Sequence, residues 1–217
     1  MNGSVGGAVI DSESNRRPIA ARGSAWAQRF AGALARSSIT PNQISVASVL
    51  FAGIGAALLV CWTTLPGLLL CAVCVQLRLI CNLLDGMVAM EGGKASAVGK
   101  IYNEFPDRVA DSLLIVALGY ASGFPWLGWL GALLAALTAY VRVFGGSLGF
   151  PQDFRGPFAK QQRMAVLTIA CIVGAAETYW HPQRYALLTA AVVIAVGALL
   201  TCITRTRAIA NQLRPPH

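Results

Sequence analysis

Six apolar runs, at about 43–62, 66–90, 97–121, 124–146, 163–181 and 184–204, account for most of the chain. Each is close to the roughly 20 residues that a helix needs to cross the hydrocarbon core of a bilayer. Inside lipid, only helices and closed barrels satisfy every backbone donor and acceptor. The runs are continuous and do not alternate, which argues against a barrel. The expected fold class is therefore all-α, a polytopic membrane protein of six transmembrane helices. Composition agrees: 56% of the residues are hydrophobic and 12% are charged, against about a quarter charged in soluble domains.

The flanking segments divide the chain further. Residues 1–23 are polar and read as a disordered tail, with no early apolar stretch of the kind a cleavable signal peptide needs. Over 24–38, Trp26, Phe30 and Leu34 recur every four residues, while Arg22, Arg29 and Arg36 recur every seven. That pattern predicts an N-terminal amphipathic helix lying in the membrane interface. Thr40-Pro41-Asn42 then opens a membrane domain over 39–206, with Pro41 suited to a first helical turn, and 207–217 form a C-terminal tail.

Basic residues set the orientation. Arg16, Arg17, Arg22, Arg29 and Arg36 precede the first span, and Lys94 lies in the second connection. Arg155 and Lys160 lie in the fourth connection, and Arg205, Arg207 and Arg214 close the chain. Six spans put all of these on one side and leave Arg184 on the other. The positive-inside rule then predicts cytoplasmic termini and a cytoplasmic second connection. The net charge of +8 suits anionic membrane lipids or phosphorylated ligands. Nucleic acid is not expected as a partner, because the basic residues sit between spans. The six cysteines all fall in apolar runs; Cys71-x-x-Cys74 lacks a second pair and a nearby His, so small apolar helix residues are expected there.

Against this background the stretch 82–111 stands apart, with Asp85, Glu91, Glu104, Asp107 and Asp111. An ionisable group in a span costs roughly 2.5–3.5 kcal/mol at mid-bilayer and marks a candidate site. Asn82 and Asp85 are three apart on the second span; Asn103, Asp107 and Asp111 are four apart on the third. Each set shares a helix face. A short turn at Glu91-Gly92-Gly93-Lys94 makes the two helices antiparallel, so the stripes can face each other. Oxygen ligands without His or Cys suit Mg²⁺, Mn²⁺ or Ca²⁺. Gly86 and Ala89 remove bulk beside Asp85 and leave space for a flat ligand. The competing reading is structural: Asp85 and Asp107 pair with Arg78 or Arg108, and the asparagines and glycines serve helix packing.

These residues resemble a family. CDP-alcohol phosphotransferases carry D-x2-D-G-x2-A-R-x8-G-x3-D-x3-D across their second and third spans, and the chain reads Asn82-x2-Asp85-Gly86-x2-Ala89-Met90-x8-Gly99-x3-Asn103-x3-Asp107. The spacing matches throughout, and Thr40-Pro41-Asn42 is similar to the run that often opens the family's first span. The resemblance implies a membrane transferase of phospholipid biosynthesis. It would move a substituted phosphoryl group from a CDP-linked donor such as CDP-diacylglycerol to an alcohol acceptor, with release of CMP. It also implies Mg²⁺ or Mn²⁺, with Asp85 as a ligand and Asp107 as the general base with a metal contact.

Asn82 and Asn103 stand where the family has Asp; each retains a carbonyl ligand without the charge. Glu104 and Asp111 are candidates to compensate for the lost charges, with Glu104 pointing about 100° from Asn103 on a regular helix. Gly86, Ala89 and Gly99 would line the substrate site. Met90 replaces the motif Arg, for which Lys94, Lys100 or Arg78 could substitute. Arg142, Arg155, Lys160 and Arg163 either bind acceptor or lipid phosphate or are ordinary cytoplasmic charge. The family commonly forms homodimers, so outward apolar faces meet lipid or a second copy. The Asn substitutions also leave open a catalytically silent relative that binds a CDP-lipid or a partner membrane protein. A small cation transporter fits less well, because the acidic groups gather toward one membrane face.

Overall fold

A computed structural model describes residues 24–93, 98–180 and 185–214. Among these residues the regular structure is entirely helical. The helices are α1 (Ala25–Ala35), α2 (Pro41–Cys61), α3 (Leu65–Glu91), α4 (Gly99–Ala121), α5 (Pro125–Ser147), α6 (Lys160–Glu177) and α7 (Tyr185–Leu213). By length and apolar composition α2, α3, α5 and α7 can each cross a membrane, which makes this an integral membrane protein. α4 and α6 are shorter in continuous apolar sequence because they carry the charges of the site at one end. α7 continues as helix to Leu213, beyond the end expected at 204 and into the segment read as a tail.

Local chemistry explains the starts. Thr40 Oγ1 accepts from the Gln43 amide at 3.3 Å, and Gln43 Oε1 accepts from the Thr40 amide at 2.9 Å. This capping box, with Pro41 as the first helical residue, fixes where α2 begins. Pro125 opens α5 in the same way. Pro106 lies inside α4 and removes one rung of its hydrogen-bond ladder immediately before Asp107.

α2 packs along both α3 and α4, which themselves meet only slightly. The backbones of α3 and α4 thus stand apart, and the gap between them is crossed by side chains, Arg78 to Asp111, Asn82 to Asp107 and Asn103 to Asp85. α6 packs on α3 and α7, and α5 packs on α4 and α7. The core runs through Leu59, Leu68, Leu114, Leu118, Leu167 and Ile194. The α4–α5 crossing is nearly backbone to backbone: a Cβ on Gly128 would lie 2.7 Å from the Val116 carbonyl oxygen, the close approach small residues permit in membrane bundles. Large apolar side chains such as Leu50, Val73, Leu133 and Ile169 are exposed on the outer faces. Such a surface would be anomalous in water and is ordinary against lipid. Trp126, Trp129, Trp180 and Tyr185 lie exposed at the helix ends away from the gap, an arrangement that suits an aromatic belt. All six cysteines are free.

α1 docks on α3 through Ala27 and Ala31, which are buried against Leu83, Leu84, Met87 and Val88. Trp26 and Phe30 point outward, whereas Leu34 packs on that cluster. The aromatic pair is thus separate from the docking face, which the four-residue repeat alone did not distinguish.

Candidate active site

Four helices furnish the gap. α3 presents Arg78, Asn82 and Asp85 at helical spacing, α4 presents Asn103, Asp107 and Asp111, α6 begins with Lys160 and Arg163, and α2 adds Ser45. Asp85 is 3% exposed. Its Oδ2 accepts from the Ser45 hydroxyl at 2.7 Å and its Oδ1 from the Asn103 amide at 3.5 Å. Among the described residues no basic side chain comes within ion-pair distance of it. Asp107 and Lys160 both lie near enough to act on it electrostatically.

Asp107 has a different environment. Its Oδ1 accepts a short hydrogen bond from the Asn82 amide and a longer one, 3.4 Å, from Arg78 Nη2. Its Oδ2 meets Lys160 Nζ at 2.5 Å and lies 3.7 Å from Arg108 Nη2. One turn deeper Asp111 is bridged by two buried arginines, with Arg78 Nη2 2.5 Å from Oδ1 and Arg163 Nη2 2.9 Å from Oδ2.

The gap thus gathers Asn82, Asp85, Asn103, Asp107 and Lys160. Asp111 reaches the same wall, with one oxygen paired to Arg78 and the other to Arg163. Gly86 and Ala89 follow Asp85 on α3 and are half-buried, and Gly99 begins α4. Arg142 pairs with Glu104 at 2.6 Å and lies 5.3 Å from the centre of the Phe154 ring. Lys94 and the Lys100 side chain lie outside the described residues. The structural reading of the sequence holds for Asp107, which does pair with Arg78 and Arg108; Asp85 has no such partner. At the far end Glu177 accepts from the Ala186 amide at 3.0 Å, a role at the start of α7; His181 lies outside the described residues.

Sequence reasoning missed Ser45 and the part played by Arg163. Ser45 and Ser48 are buried polar residues in an otherwise apolar span, and that break was the available signal. The loop before Lys160 is fixed by contacts equally invisible in sequence. Arg205 donates to the Arg155 carbonyl at 2.9 Å and to the Thr138 carbonyl at 2.6 Å, and Thr201 Oγ1 accepts from the Phe158 amide at 3.0 Å.

Among the described residues no three His, Cys, Asp or Glu side chains converge as a metal-holding group. The oxygen donors in the gap are the carboxylates of Asp85 and Asp107, the amides of Asn82 and Asn103, and the Ser45 hydroxyl. Asp85 is a buried carboxylate with only neutral hydrogen-bond donors, and such a charge is costly until a cation accompanies it. Hard oxygen donors around a carboxylate that has no ion pair fit a divalent ion of the Mg²⁺ or Mn²⁺ kind.

No protein-family model matches the chain. Over 87% of its length it is 32% identical to the archaetidylinositol phosphate synthase of Aeropyrum pernix, 92% of which is covered. It is 26% identical to the phosphatidylinositol phosphate synthase of Streptomyces avermitilis, over 84% of this chain and 77% of that one. Among solved structures, Mycobacterium tuberculosis phosphatidylinositol phosphate synthase with CDP-DAG bound gives a TM-score of 0.71 at 18% identity, over 88% of this chain and 98% of that one. The same enzyme in complex with manganese and citrate gives 0.72 at 18% identity, over 88% and 93%. At that identity the structural likeness is one of fold. With the near full-length relationship at 32% identity, the chain belongs to the CDP-alcohol phosphotransferase family.

Proposed function

We propose that the chain transfers a substituted phosphoryl group from a CDP-linked lipid, CDP-diacylglycerol or a close analogue, to the hydroxyl of a phosphorylated polyol, releasing CMP. The observation that carries this reading is the pair of carboxylates, Asp85 and Asp107, presented by two helices across one gap beside a wall of basic side chains. Among the described residues the acidic side chains that Arg78, Arg108, Arg142, Lys160 and Arg163 pair with there are Glu104, Asp107 and Asp111. The surplus of positive charge suits an acceptor that brings its own phosphate. The names of the relatives point the same way, and inositol phosphate is the acceptor of first choice.

Bound Mg²⁺ or Mn²⁺ would neutralise charge on the diphosphate. Asp85 would hold it, with the amide oxygens of Asn82 and Asn103. Ser45 orients the Asp85 carboxylate through its hydroxyl. Asp107 is the group placed to take the proton of the acceptor hydroxyl. Gly86, Ala89 and Gly99 leave room along the gap for the nucleotide. Lys160 and Arg142 contact substrate phosphate, and Asp111 keeps the two buried arginines in place. Lys94 belongs to the same basic edge in this reading.

The same proposal includes six spans, with α4 and α6 crossing beside the four apolar helices, and α1 lying in the interface before a membrane domain of 39–206. Termini and site face the cytoplasm of a bacterial inner membrane, where a charged acceptor is found. A homodimer through the outward apolar faces is compatible with their exposure. The test is CMP release by purified protein given Mg²⁺ or Mn²⁺, CDP-diacylglycerol and a panel of inositol phosphate, glycerol phosphate, inositol and serine. Release with a phosphorylated polyol is expected. Nucleotide binding by folded protein with no release for any acceptor would select the silent-relative reading, which Asn82 and Asn103 favour.

A further inference from the structure

The two facing carboxylates differ in what already neutralises them. Among the described residues Asp85 has no ion pair: the Ser45 hydroxyl and the Asn103 amide donate to it, and Lys160 acts on it only at longer range. Asp107 has Lys160 Nζ at 2.5 Å, Arg78 Nη2 at 3.4 Å and Arg108 Nη2 at 3.7 Å. Lys160 approaches from a third helix, and its position is built in. The Phe158 amide donates to Thr201 Oγ1 at 3.0 Å, the Phe158 carbonyl accepts from Arg163 Nη1 at 3.1 Å, and the Phe158 ring occupies the place a Cβ on Gly197 would take. Two residues further on α6 begins, with the ammonium aimed at Asp107.

A pair of divalent ions carries four positive charges and is ordinarily held by several carboxylates. Among the described residues this gap offers two, Asp85 and Asp107, and Asn82 and Asn103 contribute neutral amides. A second divalent ion beside Asp107 would lie against Lys160 and Arg78, where like charges repel at short range with little water to screen them. We propose that the site holds one divalent ion, at Asp85, and that the Lys160 ammonium takes the place of a second at Asp107. The inference rests on the metal-dependent reading above. Lys160 then supplies a fixed positive charge, and an ammonium has three N–H donors, so those not used on Asp107 can meet a phosphate oxygen.

Mn²⁺ titration of the purified full chain in detergent, with free ion read by electron paramagnetic resonance, tests this directly. Wild type is expected to bind one ion per chain. Asn82→Asp with Asn103→Asp still binds one, because Lys160 remains. Adding Lys160→Met, or the milder Lys160→Gln, raises the number to two, and the neighbouring spins broaden each other's signal. Two ions in wild type, two in the double variant with Lys160 intact, or one in both Lys160-substituted variants when folded would overturn the inference. Absence of bound Mn²⁺ in wild type would overturn the metal-dependent reading as well, which separates the two failures.

Discussion

At the scale of single residues, the site contains two buried aspartates with opposite thermodynamic roles. Asp85 is a buried charge with no ion pair among the described residues, so Asp85→Asn removes a burial cost and retains the shape. The melting temperature without metal is expected to stay level or rise, while Mn²⁺ no longer shifts it and turnover disappears. Asp111→Asn does the reverse: it leaves Arg78 and Arg163 buried without their counter-ion, and breaking such a pair costs about 3–5 kcal/mol. Thermal unfolding in detergent separates the two, and a large loss of stability in Asp85→Asn would contradict the assignment. The spacing of Asn82, Asp85, Gly86, Ala89, Gly99, Asn103 and Asp107 was legible from sequence because one helix face repeats every three or four residues. Pairings between helices were not. Lys160 lies 53 residues from Asp107 and Ser45 lies 40 from Asp85, and no local pattern brings them together. The stripe position of Asp111 was visible in the same way, and its two arginine partners, on other helices, were not.

At the scale of elements, the described part of each apolar run lies in a helix, and four of these helices are long and apolar enough to cross a membrane, where continuous apolar sequence leaves the backbone few other ways to satisfy itself. The α4–α5 contact depends on two glycines: a Cβ on Gly119 would lie 2.5 Å from the Gly128 Cα, and one on Gly128 would meet the Val116 carbonyl. Gly128→Ala therefore pushes α5 away from α4, at a cost of about 1–3 kcal/mol by analogy with overpacked cores. Unfolding measurements check this; an unchanged stability would show that the helices can part freely. The loop ahead of α6 gives a functional counterpart. Thr201→Val removes the acceptor for the Phe158 amide and loosens the register of Lys160. KM for the phosphorylated acceptor is expected to rise several-fold with the helical content unchanged; an unaltered KM would detach that loop from substrate binding.

For the whole molecule, charge and lipid together define the arrangement. Four helices are apolar enough to be recognised as spans in isolation, while α4 and α6 trade apolar length for Glu104, Asp107, Asp111, Lys160 and Arg163. The reach of α7 to Leu213 was not legible either, because its last turns are polar and are held by tertiary packing of Ala208 and Ile209. Single cysteines introduced at Ser38 and Gln212, in a background lacking the native cysteines, are expected to react from the cytoplasmic side. One at Ser122 is expected to react from the opposite side. The reverse labelling would refute the orientation.

The central claim is that oxygen-bearing side chains of α3 and α4 converge on a divalent ion. Crystals of the full chain soaked in Mn²⁺ and measured at the manganese absorption edge address it most directly. The account predicts an anomalous peak in contact with the Asp85 carboxylate, on the side that faces Asp107 and Asn103, and no such peak in Asp85→Asn. Density for Mn²⁺ only elsewhere, or an unchanged peak in Asp85→Asn, would contradict it.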